Sequence, residues 1–269
     1  MIGRRVPEVL TIARARSLTV DVRDAFFNMW EEVIESNGLT NAPNRIFNLD
    51  ETGLAGNRVS SKLYAKKGVK DVYIQQPNCG KTMYTVLFCC SATGIYMPPF
   101  VVYKAKHLQR DWCMGGPEGS CYGVSESGYM HDLNFENWFQ DAFIPFVSSY
   151  EKPVLLVMDG HGSHLTYKTI DLAMKAEIII ICIPPHTSHA LQPLDVGVFK
   201  SVKTIWKEDI LDPYYNEVRN QRPVDKEMFP SLLTKLWPRL KKDNAKNGFR
   251  GCGLYPINKH AIDRRIISL

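Results

Sequence analysis

Three aspartates stand out by where the chain delivers them. Asp159 closes the apolar run Pro153-Val154-Leu155-Leu156-Val157-Met158 and leads into Gly160-His161-Gly162-Ser163-His164. Asp195 follows a second apolar run, residues 178–183, the pair Pro184-Pro185, and His186-Thr187-Ser188-His189-Ala190-Leu191-Gln192-Pro193-Leu194. Asp50 ends the stretch Asn44-Arg45-Ile46-Phe47-Asn48-Leu49 and precedes Glu51-Thr52-Gly53. Carboxylates brought together repel, and all three stay ionised only when cations compensate them. Magnesium suits such a set, because it binds through a few carboxylates and keeps positions for water or phosphate oxygens. Two such ions about 3.5–4 Å apart activate a water or hydroxyl and stabilise the leaving oxygen of a phosphodiester. If Asp50, Asp159 and Asp195 converge, the chemistry is in-line phosphoryl transfer on nucleic acid. His161, His164, His186, His189, Gln192, Lys200 and Lys203 lie close to them along the chain and are the candidate nucleic-acid contacts.

The elements that must position these residues are readable from pattern. Residues 153–158 read as a strand buried on both faces and residues 178–183 as its neighbour. Between them, residues 165–175 read as a crossover helix, which makes the two strands parallel. Residues 44–49 form a strand that delivers Asp50 at its end. Strand-like runs at 62–65, 72–74, 82–90 and 99–103, separated by Gly, Pro and Asn, predict an antiparallel meander, with Ala92-Thr93-Gly94 as a turn and a further short strand at Tyr129-Met130. Helices are expected from Asp21 to a stop at Asn37-Gly38, from Asn134 through Phe146, downstream of Asp195, and from 226 to 246 despite Pro230 and Pro238. The segment 248–258, with Gly248, Gly251 and Gly253, reads as turn. The architecture is α/β: a mixed sheet flanked by helices, with additional helices at the C-terminal side.

Bulk properties bound the function. A chain of 269 residues with 45% hydrophobic content supports one compact domain. No uncharged run approaches membrane-spanning length and no secretory leader is recognisable, so an intracellular location is expected. Seven cysteines without a Cys-x-x-Cys pair fit a reduced compartment. The net charge of +5 is uneven: residues 196–269 hold 15 Lys and Arg against 8 Asp and Glu, while residues 1–195 hold 18 against 20. That surplus is expected where C-terminal helices face a polyanion, and equally where lysines only solvate surface helices.

Two other chemistries involve neighbouring residues. The two His-x-x-His pairs, His161/His164 and His186/His189, raise zinc, but the first pair is broken by glycine and neither has the intervening Glu of a helical zinc motif. Ser163 lacks the Gly-x-Ser-x-Gly setting of a hydrolase nucleophile. Trp112 and the loop Gly115-Gly116-Pro117-Glu118-Gly119 read either as a DNA-facing insertion or as a surface loop with one packed aromatic.

The blocks Asn48-Leu49-Asp50-Glu51-Thr52-Gly53, Val157-Met158-Asp159-Gly160-His161-Gly162-Ser163-His164 and residues 184–200 resemble the signature blocks of the DDE superfamily endonuclease domain of pogo and Tigger-type transposases, a group that includes jerky-like and centromere protein B-related proteins. Gly248-Phe249-Arg250-Gly251-Cys252-Gly253-Leu254-Tyr255-Pro256 is similar to the family's closing block. The resemblance implies a ribonuclease H-like fold, a magnesium or manganese cofactor, and Asp50, Asp159 and Asp195 as metal-binding and catalytic residues, Asp50 bridging both ions. It also implies DNA as partner and the nucleus as location, and it leaves a homodimer open. Residues 21–262 are the expected catalytic domain, with 1–20 a remnant or linker in place of the family's helix-turn-helix domains and 263–269 a tail. The functional expectation is a DNA endonuclease and strand-transfer core; the alternative is a domesticated, transposase-derived nucleic-acid-binding or scaffolding protein without cleavage activity.

Overall fold

Alternating side chains along the strands sort the core into two layers, one on each side of a single sheet. In the computed structural model, which describes residues 11–57, 82–160, 165–217 and 222–266, the strands are β1 (Ile46–Ala55), β2 (Met83–Ser91), β3 (Phe100–Lys104), β4 (Cys121–Ser125), β5 (Val154–Met158) and β6 (Ile178–Cys182). They lie in the order β4-β3-β2-β1-β5-β6. β1 runs antiparallel to β2 and parallel to β5; β2 and β3 are antiparallel, while β3–β4 and β5–β6 are parallel. The expected strands at 62–65 and 72–74 lie outside the described residues.

The helices are α1 (Ile12–Ser17), α2 (Val20–Ser36), α3 (Asp132–Trp138), α4 (Ile144–Phe146), α5 (Tyr167–Lys175), α6 (Ser188–Leu191), α7 (Phe199–Ile205), α8 (Asp212–Glu217), α9 (Phe229–Leu236) and α10 (Lys242–Gly251). A π-helical stretch, Phe139–Phe143, joins α3 to α4. Two more, Leu194–Val198 and Trp206–Leu211, join α7 and α8 into one helical arm from 194 to 217. On one face of the sheet, Ile46, Leu54, Val86, Phe88, Leu155 and Val157 pack with α2, the helical arm, α9 and α10. On the other, Phe47, Leu49, Leu87, Leu156 and Met158 pack with Phe135, Trp138, Phe139 and Phe143. Each fully buried aromatic or aliphatic side chain contributes about 1.5–3 kcal/mol, so both layers hold β1 and β5 rigidly at the centre.

Local signals explain the helix limits. Thr19 caps α2 by accepting from the Val22 amide, and Asn37 and Gly38 end it, Gly38 at φ 63°. α2 is fixed at the far end of the sequence as well: the Trp30 indole donates to the Leu254 carbonyl at 3.1 Å. Buried Arg23 bridges Asp24 and Asp263, and Arg265 donates to the carbonyls of Ala190 and Gly251. The expected tail at 263–269 therefore includes residues bound into the fold as far as Arg265.

Four expectations are corrected. β1 does not end before Asp50, because its ladder with β2 continues from Phe47↔Ser91 to Ala55↔Met83. Tyr129-Met130 is not a strand; the additional strand is β4, parallel to β3, a run too short and glycine-interrupted to announce itself. Gly123 at its centre is needed, since a Cβ there would lie 2.8 Å from Asn134 Oδ1. The single helix over 226–246 is two: Pro230 is accommodated in the first turn of α9, but Pro238 removes an amide donor in a closing 3₁₀ turn, and the backbone extends at Leu240 before α10 begins. The stretch from Gly248 to Gly251 is helix instead of turn, because Ala245, Gly248 and Phe249 share the buried face of α10.

Candidate active site

The site is made by a mismatch in strand length. Parallel pairing of β1 with β5 stops at Asn48↔Val157, whereas β1 continues beside β2 as far as Ala55. Asp50 and Asp159 stand two positions past that last pair, Asp50 still in β1 and Asp159 just after β5 ends, at the rim where the sheet steps down. Alternation along β1 gives Asp50 the direction of Ile46 and Asn48, toward the layer that contains the helical arm.

Asp195 comes to the same rim from the start of the helical arm. The connection is a set of buried hydrogen bonds centred on Asn48, whose exposure is 0%, as is that of Gln192. Asn48 Nδ2 donates to the Val157 carbonyl at 2.9 Å and to Gln192 Oε1 at 2.5 Å. Its Oδ1 accepts from the Leu194 amide at 3.0 Å, and Gln192 Nε2 donates to the Leu49 carbonyl at 3.0 Å. From behind, α10 presses on the turn containing Asp195: a Cβ on Gly197 would lie 2.6 Å from Gly248 Cα, and one on Gly248 would lie 3.0 Å from the Pro193 carbonyl carbon.

Electrostatics register the convergence. The Asp50 carboxyl is held well above the ordinary carboxylate range, first by burial and then by the negative charges of Asp195, Glu51 and Asp159; a hydrogen bond from the Glu51 amide at 2.8 Å opposes this. The Cys182 thiol is pushed up by burial and by Asp159. Asp159 is half-buried and Asp195 exposed, so the set opens to solvent on the Asp195 side.

Among the described residues, no group of three or more His, Cys, Asp or Glu side chains is arranged to hold a metal ion. The donor chemistry still fits a hard cation. Asp50, Asp159 and Asp195 are all oxygen donors, and the Asp50 carboxyl, raised by burial and by the charges of the other two, gains most from a nearby cation. Magnesium and manganese, which retain water ligands, match an open carboxylate set better than zinc does.

Of the expected nucleic-acid contacts, His161 and His164 lie outside the described residues. His186 is exposed, with a left-handed backbone at φ 64°, and His189 is half-buried in α6. Lys200 and Lys203 are exposed on α7, and Lys203 Nζ stands 5.9 Å from the Phe199 ring centroid. Gln192 is a correction: it faces β1, with its amide engaged on both sides, and is not open to a nucleic acid. Trp112 packs against Tyr103 at 5.8 Å with Lys226 over its ring at 4.2 Å, which is the packed-aromatic alternative. The residue that sequence reasoning passed over is Asn48. Its signal was present, as a carboxamide inside the apolar run Ile46-Phe47-Asn48-Leu49, two positions before Asp50.

The family described as DDE superfamily endonuclease matches residues 81–249, which include Asp159 and Asp195. Among curated proteins, the chain is 26% identical over 223 residues to a protein of Cochliobolus lunatus named MFS-type transporter clz9, covering 81% of this chain and 24% of that protein. It is 27% identical over 143 residues to the human pogo transposable element with ZNF domain, covering 52% of this chain and 10% of that one. With the human pogo transposable element with KRAB domain it shares 21% identity over 212 residues, covering 76% and 34%. The chain thus spans between 10% and 34% of the length of these curated relatives. No helix among the described residues is long and apolar enough to cross a membrane. Among solved structures, the Mos1 mariner paired end complex with Mn aligns with a TM-score of 0.58 at 15% identity, over 94% of this chain and 63% of that one. The Mos1 strand transfer complex aligns at 0.50 with 14% identity, over 92% and 66%. The likeness is one of fold, ribonuclease H-like, as the sequence resemblance implied.

Proposed function

The chain belongs to the DDE superfamily endonuclease family, and from that premise we propose that it cleaves and joins DNA strands with divalent cations held by Asp50, Asp159 and Asp195. The observation that carries the reading is the end of the β1–β5 ladder at Asn48↔Val157, two positions before Asp50 and Asp159, where the Leu194 amide, next to Asp195, donates to Asn48 Oδ1 at 3.0 Å. Solved relatives of the same fold were crystallised with manganese or magnesium, which supports the choice of ion.

On this reading Asp50, Asp159 and Asp195 would be the residues that hold the ions, with Asp50 and Asp159 half-buried and Asp195 exposed to solvent. When bound, the ions supply an activated water or 3′-hydroxyl and stabilise the leaving oxygen of the phosphodiester. The protein's part is positional. The step between β1 and β5 sets Asp50 beside Asp159, and the Asn48 bonds and α10 hold Asp195 to the same rim. Exposed His186, Lys200 and Lys203 provide charge-bearing or hydrogen-bonding groups for phosphates of the bound strand.

The test is nicking of supercoiled DNA in manganese. The expected result is conversion to the open circle by the chain and loss to background in Asp159→Ala with the fold retained. Absence of metal-dependent nicking by the unaltered chain would leave only the non-cleaving, DNA-binding alternative. A DNA substrate also implies action in the nucleus, which imaging of a fluorescent fusion checks; exclusion from the nucleus would count against it.

A further inference from the structure

We infer that Asn48 is a positioning residue of the site, a side chain that sets Asp50, Asp159 and Asp195 relative to one another. The inference rests on the metal-site reading above. Its basis is a coincidence of short sequence offsets. Asn48 precedes Asp50 by two residues on the same strand face. Its Nδ2 binds the carbonyl of Val157, two residues before Asp159, and its Oδ1 holds the amide of Leu194, one residue before Asp195. One carboxamide therefore touches all three segments within two residues of each carboxylate. Ordinary core packing does not call for this, since an asparagine in a fully buried strand position costs free energy unless its donors and acceptors are met. Here they are met by groups that belong to the three segments carrying the aspartates.

Gln192 completes the arrangement. It receives the Asn48 amide on Oε1 and returns a hydrogen bond to Leu49 through Nε2, so the segment before Asp195 is joined to β1 at two successive residues. No flexible side chain intervenes between Asn48 and the backbone it positions. A shift of the helical arm along β1 has to break the Leu194 and Gln192 bonds together.

The experiment compares Mn²⁺ affinity by calorimetry with hydrogen exchange of the Leu194 amide. It uses the unaltered chain, Asn48→Leu, Gln192→Met, Asp159→Ala and Asn134→Ala. Asn48→Leu keeps the branching of the side chain, though it is bulkier, and removes every bond of the carboxamide. Gln192→Met keeps the chain length and removes only the far half, serving if Asn48→Leu fails to fold. Asn134→Ala removes another buried carboxamide, bonded to the Val124 carbonyl at 3.1 Å away from the aspartates, and controls for general destabilisation. The expected result is faster exchange at Leu194 and Mn²⁺ affinity lowered about 10–100-fold in Asn48→Leu, with a smaller loss in Gln192→Met. Asn134→Ala should lower stability with Mn²⁺ affinity unchanged. Faster exchange at Leu194 with wild-type Mn²⁺ affinity in the folded Asn48 or Gln192 variant would overturn the positioning role alone. Mn²⁺ affinity unaffected by Asp159→Ala would overturn the metal-site reading and the inference with it.

Discussion

Asp50 is where local stability and chemistry pull in opposite directions. Its folded-state proton affinity is raised, so the folded protein binds a proton more tightly than the unfolded chain does. Stability from this group is therefore present at low pH and is lost as pH rises from the ordinary carboxylate value toward the raised folded one. Asp50→Asn removes both the desolvated charge and its repulsion with Asp195 and Asp159. We expect the metal-free variant to melt at a higher temperature than the unaltered chain at neutral pH, with a flatter stability profile above acid pH. It should also lose the rise in melting temperature that Mn²⁺ gives the unaltered chain. Calorimetric melts with and without Mn²⁺ check both statements; a lower metal-free melting temperature for Asp50→Asn would contradict them.

At the scale of elements, the decisive contact is between α10 and the turn that carries Asp195. Alanine is ordinarily a better helix former than glycine by about 1 kcal/mol, so Gly248→Ala in an open helix would stabilise. Here the added methyl meets the Pro193 carbonyl group, and neither backbone can give way without moving Leu194 off Asn48. The expected outcome is destabilisation by about 1–3 kcal/mol in denaturant unfolding, with nicking reduced more than the population of unfolded chain explains. This close approach also marks what the sequence concealed. Period-two patterning and the apolar runs made β1, β2, β3, β5 and β6 legible, and capping residues gave the limits of α2. The π-helical turns, the break at Leu240 and the helical identity of Gly248 were not; at Gly248 the deciding contact is backbone against the Pro193 carbonyl. A glycine that permits packing reads in sequence like a glycine that permits a turn. Asp50 was placed at a strand end for a related reason: its own residues look like a turn, and only the partner strand β2 keeps them extended.

Across the whole molecule, charge is separated from the carboxylates. The C-terminal part from Val196 onward carries +7, from 15 basic against 8 acidic residues, and its first exposed lysines, Lys200 and Lys203, sit on α7 within two turns of the Asp195 segment. A DNA strand lying over the rim would meet positive potential beside the site where the three aspartates alone would repel it. Binding to duplex DNA should weaken steeply with salt, and Lys200→Ala and Lys203→Ala should each reduce the slope of log affinity against log salt by roughly one. Fluorescence anisotropy at several salt concentrations reads this directly, and an unchanged slope in both variants would remove α7 from the interface.

The two-residue spacing from Asn48 to Asp50 acts as a ruler with a parity. One residue inserted between them would turn the carboxylate to the layer of Phe47 and Leu49. Two would restore its face but carry it about 6–7 Å past Asp159. Length changes here are therefore forbidden in both odd and even steps.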